Sequence, residues 1–237
     1  MGAVGKVLMI EDEVEIYNLA NLYFAKEGID LDHVKSGQDA IVYLNRSEPE
    51  LILLDVGLPD ISGFDIINKI KEITDVPVIF LTSKGRIQDQ IKGLKSGADD
   101  YILKPFHPQL LTEKVLAHLK RSKRVIQKKN NDSVLKYGRF EINFETQKLK
   151  IDQRQVRLTQ TEFDILSILA KNPGVFYTSD AIYEKLWFEN SMGDTRGVLV
   201  HVSNLRRKLG LADSETTYIM TKRNYGYKFN EYIRSES

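Results

Sequence analysis

The residue with the clearest potential for chemistry is Asp55, a carboxylate that directly follows the apolar run Leu51–Leu54. Gly57, Pro59 and Gly63 come next, so the pattern predicts a buried strand that breaks into a turn. In α/β proteins, ligands bind at the edge of the sheet where the strands end. Taken alone, Asp55 is better explained as a turn or helix-cap residue. A catalytic role depends on which other groups reach it.

Three further apolar runs of the first half also end in polar side chains. The groups concerned are Glu11, Asp12 and Glu13 after Lys6–Ile10, Thr82 and Ser83 after Pro77–Leu81, and Lys104 after Tyr101–Leu103. If these runs are parallel strands, their carboxyl ends share one edge of a sheet, and the polar groups converge there. Neighbouring carboxylates raise one another's pKa unless cations lie among them. Lys104 supplies one positive charge, and Mg²⁺ suits the remainder because it binds one or two carboxylates and keeps water and phosphate oxygens as its other ligands.

This set of groups suits the capture of a phosphoryl group. A carboxylate such as Asp55 can attack an activated phosphoryl donor and form an aspartyl phosphate. Mg²⁺ and Lys104 would neutralise the charge that spreads over the phosphoryl oxygens. Thr82 can donate a hydrogen bond to one of these oxygens. Its movement would leave a space behind it, and Tyr101 on the neighbouring strand is placed to report on that space.

The apolar runs alternate with segments whose apolar residues recur at helical spacing. The predicted strands are Lys6–Ile10, Ile29–Val34, Leu51–Leu54, Pro77–Leu81 and Tyr101–Leu103. The predicted helices are Val14–Lys26, Gln38–Asn45, Gly63–Ile73, Ile87–Lys95 and Pro108–Leu119. Strand and helix in alternation indicate a parallel sheet that helices cover on both faces. We therefore predict an α/β fold for the first half: a doubly wound, flavodoxin-like, five-stranded parallel sheet.

Composition limits the class of protein. A chain of 237 residues suits two domains of ordinary size, and it has no apolar run of about eighteen residues that could span a membrane. Cysteine is absent, so disulfides and thiolate metal sites are excluded, and we expect a reducing compartment, the cytoplasm. Residues 1–120 have a net charge of −6 and residues 121–237 one of +7. This asymmetry favours a cation site in the first half and a polyanion partner for the second, although two unrelated solvated surfaces would give the same totals.

The joint pattern of the first half resembles the receiver domain of bacterial response regulators. The matching residues are Glu11–Asp12, Asp55, Leu58–Asp60, Gly63, Leu81–Ser83, Gly97–Tyr101 and Lys104–Phe106. The resemblance implies that Asp55 is the phosphoacceptor, that a sensor histidine kinase is the donor, and that Lys104 contacts the phosphoryl group. It also implies a coupled switch formed by Thr82 and Tyr101. The Mg²⁺ ligands that it implies are Glu11, Asp12, Asp55 and the carbonyl oxygen of Gly57. A flavodoxin-like fold without any site is the alternative.

From Arg121 to Ser133 the apolar spacing stops, and the chain is polar and basic. Such a composition is typical of a flexible linker. We therefore predict a receiver domain at residues 1–121, a flexible basic linker at 122–134 and a second domain at 135–237.

The second domain begins with short alternating segments, typical of antiparallel strands, and continues with helices. Thr159 and Glu162 have the spacing of a capping box, which predicts a helix N-terminus. A third helix is predicted from about Asp194 to Leu209, because apolar residues recur there every three or four positions. Its opposite face, a candidate for the DNA major groove, presents Arg196, Val200, Ser203, Asn204 and Arg207, with His201 and Lys208 on the flank. Arginine and asparagine can read base edges and valine can meet a thymine methyl, but basic outer faces are common on helices.

A basic hairpin follows at Tyr218–Phe229, with Lys222 and Arg223 near its tip. A helix followed by such a hairpin indicates an α+β winged helix-turn-helix domain, and the arginine suits a narrow minor groove. The segment resembles the effector domain of the OmpR/PhoB-type response regulators. The matching residues are Leu158–Thr159, Glu162–Phe163, Trp187, Arg196, Val200–His201, Leu205–Arg206 and Gly226–Tyr227. Leu199 replaces the acidic residue usual in the family, and this replacement is expected to alter either base preference or contacts with the transcription machinery. Asn224 replaces the usual glycine and is expected to stiffen or reshape the wing tip.

In this family, phosphorylation favours a homodimer formed by the fourth helix, fifth strand and fifth helix of the receiver. Two effector domains then align on double-stranded DNA with direct-repeat half-sites, and RNA polymerase is a further partner that the family suggests. The ion pairs implied across the two-fold axis are Asp99 with Arg121 and Asp100 with Lys114. Gln90 and Leu110 occupy the places of a third pair, so a weaker or differently packed dimer is expected.

The leading hypothesis is a two-component transcription regulator in which a phosphorylatable receiver controls a winged-helix DNA binder. The first alternative is a Mg²⁺-dependent phosphatase or phosphotransferase that uses Asp55 as its nucleophile. Such an enzyme would here lack a second acid–base aspartate two residues later, where Gly57 lies. The second alternative is a DNA binder that acts independently of phosphorylation, with the receiver as a dimerisation module.

Overall fold

The computed structural model describes residues 4–83, 87–127, 134–137, 139–187, 195–210 and 218–230. The chain divides into two compact units, Met1–Ser122 and Lys123–Ser237. Each unit has its own hydrophobic core.

The first unit contains a five-stranded parallel sheet flanked by helices. Its strands are β1 Gly5–Ile10, β2 Ile29–Val34, β3 Leu51–Asp55, β4 Val78–Thr82 and β5 Asp100–Leu103. Its helices are α1 Val14–Lys26, α2 Gly37–Leu44, α3 Gly63–Ile73, α4 Ile87–Lys95 and α5 Pro108–Gln127, of which residues 108–122 belong to this unit. The strand order is β2-β1-β3-β4-β5, and all pairs of neighbours are parallel. The predicted doubly wound α/β fold is confirmed.

Burial on both faces of this sheet explains its uninterrupted apolar runs. Successive side chains of a strand point to opposite faces, and all of β3 is buried. Ile52 and Leu54 pack in a cluster with side chains of α2 and α3. Leu51 and Leu53 pack on the other face, with side chains of α1 and α5. A strand in this position needs apolar residues at every position, and Asp55 is the first polar residue after them.

Helix α5 is longer than the sequence predicted. It continues to Gln127, whereas the prediction ended the helix at Leu119 and began a flexible linker at residue 122. The prediction was wrong for residues 122–127, because the loss of apolar spacing there does not prevent a helix of lysine, arginine and glutamine, which have high helix propensity. The remaining linker residues 128–133 lie outside the described residues. Although α5 spans 20 residues, neither it nor any other helix of the described part is apolar enough to cross a membrane.

The second unit combines antiparallel strands with helices. Its first sheet has the order β6-β7-β8-β9, with β6 Val134–Tyr137, β7 Phe140–Asn143, β8 Lys148–Ile151 and β9 Arg154–Val156. Its helices are α6 Gln160–Ala170, α7 Ser179–Trp187 and α8 Arg196–Lys208. A hairpin, β10 Ile219–Lys222 with β11 Gly226–Phe229, follows. The predicted winged helical domain is confirmed.

The N-terminus of α6 is tied to α8 through one carboxylate. The predicted capping box is present: Thr159 accepts a hydrogen bond from the Glu162 amide, and Glu162 accepts one from the Thr159 amide. Glu162 is buried, and Lys208 of α8 lies 2.6 Å from its carboxylate. A cap that normally orders one helix end thus also positions the helix predicted to meet DNA.

Candidate phosphorylation site and DNA interface

The acidic pocket of the first unit is built by the carboxyl ends of three strands. Glu11 and Asp12 follow β1, Asp55 ends β3, and Lys104 follows β5. The backbone fixes these ends to their neighbours: the Lys104 amide donates to the Thr82 carbonyl over 2.8 Å, and the Val56 amide donates to Leu81 over 3.1 Å. The predicted convergence of polar strand ends therefore occurs, and it follows from the strand order.

Lys104 lies at the centre of this pocket. Its Nζ is 2.7 Å from Oε2 of Glu11, 3.2 Å from Oδ2 of Asp55 and 3.5 Å from Oε1 of Glu13. Carboxylate oxygens of Glu11, Asp12 and Asp55 all lie within 4.8 Å of one another. The sequence placed Glu13 at this edge of the sheet together with Glu11 and Asp12, but it assigned Glu13 no role in the site. The structure thus brings together the predicted carboxylates and the predicted ammonium group.

The electrostatics of the pocket suit a divalent cation. Burial, reinforced by the charge of Asp55, raises the pKa of Glu11 to about 7 even though Lys104 opposes the shift. Burial lowers the pKa of Lys104, but Glu11 and Asp55 outweigh it and raise that pKa above its ordinary value. Oε2 of Glu11 is buried and, apart from its ion pair with Lys104, has no hydrogen-bond donor among the described residues. Three carboxylates around one ammonium group leave an excess of negative charge, which fits a hard metal ion bound by oxygen ligands.

Two glycines shape the approach to Asp55. A Cβ added at Gly57 would lie 3.4 Å from Oδ2 of Asp55, so the absence of a side chain there leaves one side of this carboxylate uncovered. A Cβ at Gly63 would overlap the backbone carbonyl of Asp55, and the Gly63 amide donates to Val56 over 3.0 Å. Only glycine lets α3 begin this close to the end of β3.

The two residues of the predicted switch lie on adjacent strands. Thr82 is buried at the end of β4 and pairs in register with Leu103. Tyr101 is partly buried, pairs in register with Phe80, and packs against the core cluster that contains Phe80. The two side chains therefore lie two register positions apart, and their joint movement stays a prediction.

The charges assigned to the dimer surface are engaged within the chain. Asp99 is fully buried and accepts hydrogen bonds from Lys71 and from the Val78 amide, both over 3.0 Å. Asp100 lies 2.8 Å from Lys114 of the same chain, and Arg121 is buried. Asp99 and Arg121 therefore lie buried within the chain, and their pairing across a two-fold axis stays a prediction. The dimer itself stays a prediction.

Helix α8 presents a narrower face than the sequence suggested. Arg196, Ser203 and Arg207 are exposed as predicted. The residues of the predicted face that are instead buried are Val200, His201 and Asn204. Lys208 is engaged with Glu162. The prediction assigned too many residues to the exposed face of α8. The apolar stripe marks only the centre of the buried face, and neighbouring elements also cover residues on either side of that stripe.

Arg206 connects α8 to the hairpin, a role that sequence reasoning missed. Its guanidinium donates to the Ile219 carbonyl over 2.6 and 3.0 Å and to the Thr221 hydroxyl over 2.6 Å. A planar guanidinium with several donors suits such a bridge. Arg206 thus has a structural role. The sequence does not reveal this role, because Arg206 lies in a basic run and is distant along the chain from the hairpin residues that it contacts.

The hairpin carries the predicted basic tip. Lys222 and Arg223 are exposed, and Nζ of Lys222 lies 4.0 Å from the ring centroid of Tyr225. Asn224 has a φ of +66°, a left-handed conformation that asparagine tolerates better than most residues. The tip therefore keeps a backbone that the usual glycine would also adopt.

Comparisons with known proteins agree with both units. The family model of the response regulator receiver domain matches residues 7–116, and that of the C-terminal domain of transcriptional regulatory proteins matches residues 153–229. The chain is 35% identical to the uncharacterized transcriptional regulatory protein YclJ of Bacillus subtilis over 95% of this chain and 99% of that one. It is also 35% identical to the regulatory protein VanR of Enterococcus faecium, over the same shares of the two chains.

Solved structures show the same architecture over nearly the whole chain. A RitR mutant superimposes with a TM-score of 0.76 and 25% identity, over 96% of this chain and 99% of that one. The response regulator DrrB of Thermotoga maritima, an OmpR/PhoB homolog, gives a TM-score of 0.51 and 27% identity over 97% and 100%. With both of its domains matched, this chain belongs to the OmpR/PhoB-type response regulators, which are phosphorylation-controlled DNA-binding regulators of transcription and not classical enzymes.

Proposed function

We propose that Asp55 accepts a phosphoryl group from a sensor histidine kinase and that the aspartyl phosphate controls binding of the second unit to DNA. The observation that carries this proposal is the position of Lys104, whose ammonium group lies 3.2 Å from Asp55 in a pocket of three clustered carboxylates. A carboxylate at such a place is a competent nucleophile for phosphoryl transfer, and the ammonium group is positioned to contact a phosphoryl oxygen.

Glu11, Asp12 and Asp55, with the carbonyl of Gly57, are the proposed ligands of Mg²⁺. When bound, the ion would neutralise charge on the phosphoryl oxygens. The side chains of this chain do the rest: Asp55 attacks, Lys104 holds the transferred group, and Thr82 donates a hydrogen bond to one of its oxygens. When Thr82 moves toward that oxygen, Tyr101 moves with it. The conformation of Tyr101 on β5 then depends on whether Asp55 is phosphorylated.

The exposed basic residues of α8 and of the hairpin are the proposed DNA contacts. Arg196, Ser203 and Arg207 would face the major groove, and Lys222 and Arg223 would reach phosphates or the minor groove. Phosphorylation would favour a homodimer on direct-repeat half-sites, and RNA polymerase is a further proposed partner of the bound protein. The buried residues Val200, His201 and Asn204 would support this surface from behind.

Incubation with a small phosphodonor and Mg²⁺ tests the first step. We expect one phosphoryl group per chain by intact-protein mass spectrometry, lost in the variant Asp55→Asn and kept in Asp30→Asn. Asp30 is an exposed carboxylate at the opposite end of the sheet, so it is a matched control. Rapid multiple turnover of the donor without accumulation of a phosphoprotein would instead indicate a phosphatase, and labelling that persists in Asp55→Asn would refute the assignment of Asp55.

A further inference from the structure

The exposed face of α8 contains one apolar residue among polar ones. Arg196, Leu199, Ser203 and Arg207 follow one another at intervals of three, four and four residues, and all four are exposed. Leu199 is 53% exposed, whereas the apolar residues on the opposite side of the helix are buried. Residues at this spacing form one stripe along a helix. Leu199 therefore lies on the proposed DNA face, between two residues that can hydrogen-bond to nucleic acid.

Exposure alone gives Leu199 no function, because single exposed apolar residues are common on protein surfaces. Val134, for example, is 41% exposed on β6. The position of Leu199 is what distinguishes it. Arg196 lies almost one helical turn before it and Ser203 about one turn after it, so a duplex that contacts both must also pass over Leu199. In that position the side chain of Leu199 would contact the edges of the base pairs that are exposed in the major groove.

The major groove offers one apolar group on its base edges, the C5 methyl of thymine. Val200, the residue that the sequence suggested for a thymine contact, is buried. We propose that Leu199 contacts thymine methyl groups in the major groove and makes this chain select thymine at one or two positions of each half-site. This inference rests on the proposed function, because it requires that α8 lie in the groove. Base pairs are about 3.4 Å apart along the duplex, so one leucine reaches one or two of them.

The acidic residue usual at this position in the family would have a different preference. A carboxylate accepts a hydrogen bond from the amino group of cytosine, whereas a leucine offers it nothing to bond with. Replacement of the acidic residue by Leu199 is therefore expected to exchange a cytosine preference for a thymine preference.

The experiment removes methyl groups from the DNA one at a time. Binding sites are first selected from random duplexes by the full chain, and each thymidine of the selected site is then replaced by deoxyuridine, which differs only in the methyl group. We expect one or two positions per half-site at which this change weakens binding about fourfold, the loss for withdrawal of one methyl group from an apolar contact. In Leu199→Ala these positions should become insensitive, whereas Val134→Ala should keep the full response.

A second variant tests the same contact by a gain. Leu199→Asp should select cytosine where the unaltered chain selects thymine. Both substitutions are at an exposed site, and fluorescence of Trp187 in urea shows whether the domain still folds as before. The inference is overturned if Leu199→Ala keeps every deoxyuridine effect, or if Leu199→Asp selects the same sites as the unaltered chain. Either result leaves the proposed function intact, whereas failure of the unaltered chain to select any DNA would overturn both.

Discussion

At the scale of single residues, Glu11 has the most unusual environment in the acidic pocket. Its ordinary pKa of 4.5 is raised to about 7 by burial beside Asp55. The folded, metal-free protein therefore binds a proton more tightly at Glu11 than the unfolded chain does. As the pH rises from about 4.5 to about 7, the contribution of Glu11 to the free energy of unfolding therefore falls. A cation that replaces the proton removes this cost.

Mg²⁺ affinity is consequently expected to depend on pH. Below about pH 7 the ion must displace a proton from Glu11, so its apparent affinity should fall by up to tenfold per pH unit, and above that pH it should level off. Titration calorimetry with Mg²⁺ from pH 5.5 to 8.5 measures this. Glu11→Gln should bind more weakly and with a flatter pH profile, whereas Glu15→Gln, at an exposed position of α1, should behave as the unaltered chain. A flat profile in the unaltered chain would contradict the assignment.

The ion pair of Asp100 with Lys114 provides a second prediction at this scale. Burial would raise the pKa of Asp100, but Lys114 and His118 outweigh burial and hold it below its ordinary value. Removal of one partner from a mostly buried pair leaves a charge without compensation. Lys114→Met is therefore expected to lower the free energy of unfolding of the first unit by about 3 kcal/mol at pH 7. Hydrogen exchange of the β3 and β4 amides measures that loss.

The pH dependence of this loss distinguishes a charge effect from a packing effect. A carboxyl group with a depressed pKa contributes stability above its unfolded pKa and loses it as the pH falls. In Lys114→Met, Asp100 protonates more readily, so the difference between the two proteins should shrink below about pH 4. Lys6→Met removes the exposed pair with Asp32 and should cost much less. An equal loss at every pH would show that only packing was removed.

The residues of the pocket were predictable because their positions follow from the sheet. A strand buried on both faces is apolar throughout, so a carboxylate or ammonium group directly after it marks the edge, as Asp55 and Lys104 do. Burial on α8 was not predictable in the same way. Helical spacing identified Val198 and Val202 as core, but His201 and Asn204 are covered by neighbours that the spacing cannot reveal.

At the scale of elements, the end of α5 shows the limit of apolar periodicity. The helix continues through residues 122–127, where its composition is polar and basic. Periodicity reports the face that packs on a core, and a helix that extends past its core loses that signal while its backbone hydrogen bonds continue. The ends of the five strands were predicted better, because glycine, proline and charged residues mark them in the sequence.

The hairpin tip depends on two residues with positive φ. Asn224 has a φ of +66° and Gly226 one of +96°. A Cβ at Gly226 would overlap the carbonyl of Tyr177, which pairs with Tyr227 through two hydrogen bonds of 2.8 Å. Gly226 therefore lets a third segment join the hairpin.

Substitution at the tip should separate these two roles. Asn224→Gly is expected to change stability little, and Asn224→Ala to lower it by about 1 kcal/mol, the cost of a left-handed conformation for an ordinary residue. Gly226→Ala should lower it more, because the Tyr177 pairing is lost. Urea unfolding followed by Trp187, the single tryptophan of the chain, reports on this unit. Equal losses for Ala at both positions would show that the overlap with Tyr177 carries no weight.

The same tip gives a prediction for DNA binding. Each phosphate contact contributes about 0.9 to the slope of log affinity against log salt concentration. Arg223→Ala should reduce the magnitude of this slope by about that amount and weaken binding to all sites alike. Arg154→Ala, an exposed arginine on β9, is the control and should leave the slope unchanged. An unaltered slope in Arg223→Ala would exclude Arg223 from the phosphate contacts.

At the scale of the whole molecule, the charge asymmetry of the chain corresponds to its two units. The acidic half holds the pocket of clustered carboxylates, and the basic half holds the exposed residues of α8 and the hairpin. Sequence motifs were sufficient to identify the type of each unit, because each unit has its own hydrophobic core and its own set of candidate functional residues. They do not give the strength of the communication between the halves, because that is a coupling free energy between two states of the protein and not a property of any one residue pattern.

This coupling can be measured with a phosphodonor. If the aspartyl phosphate and DNA favour the same state, phosphorylation should raise the affinity for selected DNA by about 5- to 150-fold, which corresponds to the usual range of coupling between two sites. The effect requires a group whose contacts differ between the states, and Thr82 is the group that we propose for this role. Fluorescence anisotropy with labelled DNA gives the affinity, and analytical ultracentrifugation gives the oligomeric state under the same conditions.

Asp55→Asn should bind with the affinity of the unphosphorylated chain whether or not donor and Mg²⁺ are present, and Asp30→Asn should respond as the unaltered chain. Equal affinities for the unaltered chain with and without phosphodonor, at confirmed full phosphorylation, would show a DNA binder that acts independently of its receiver.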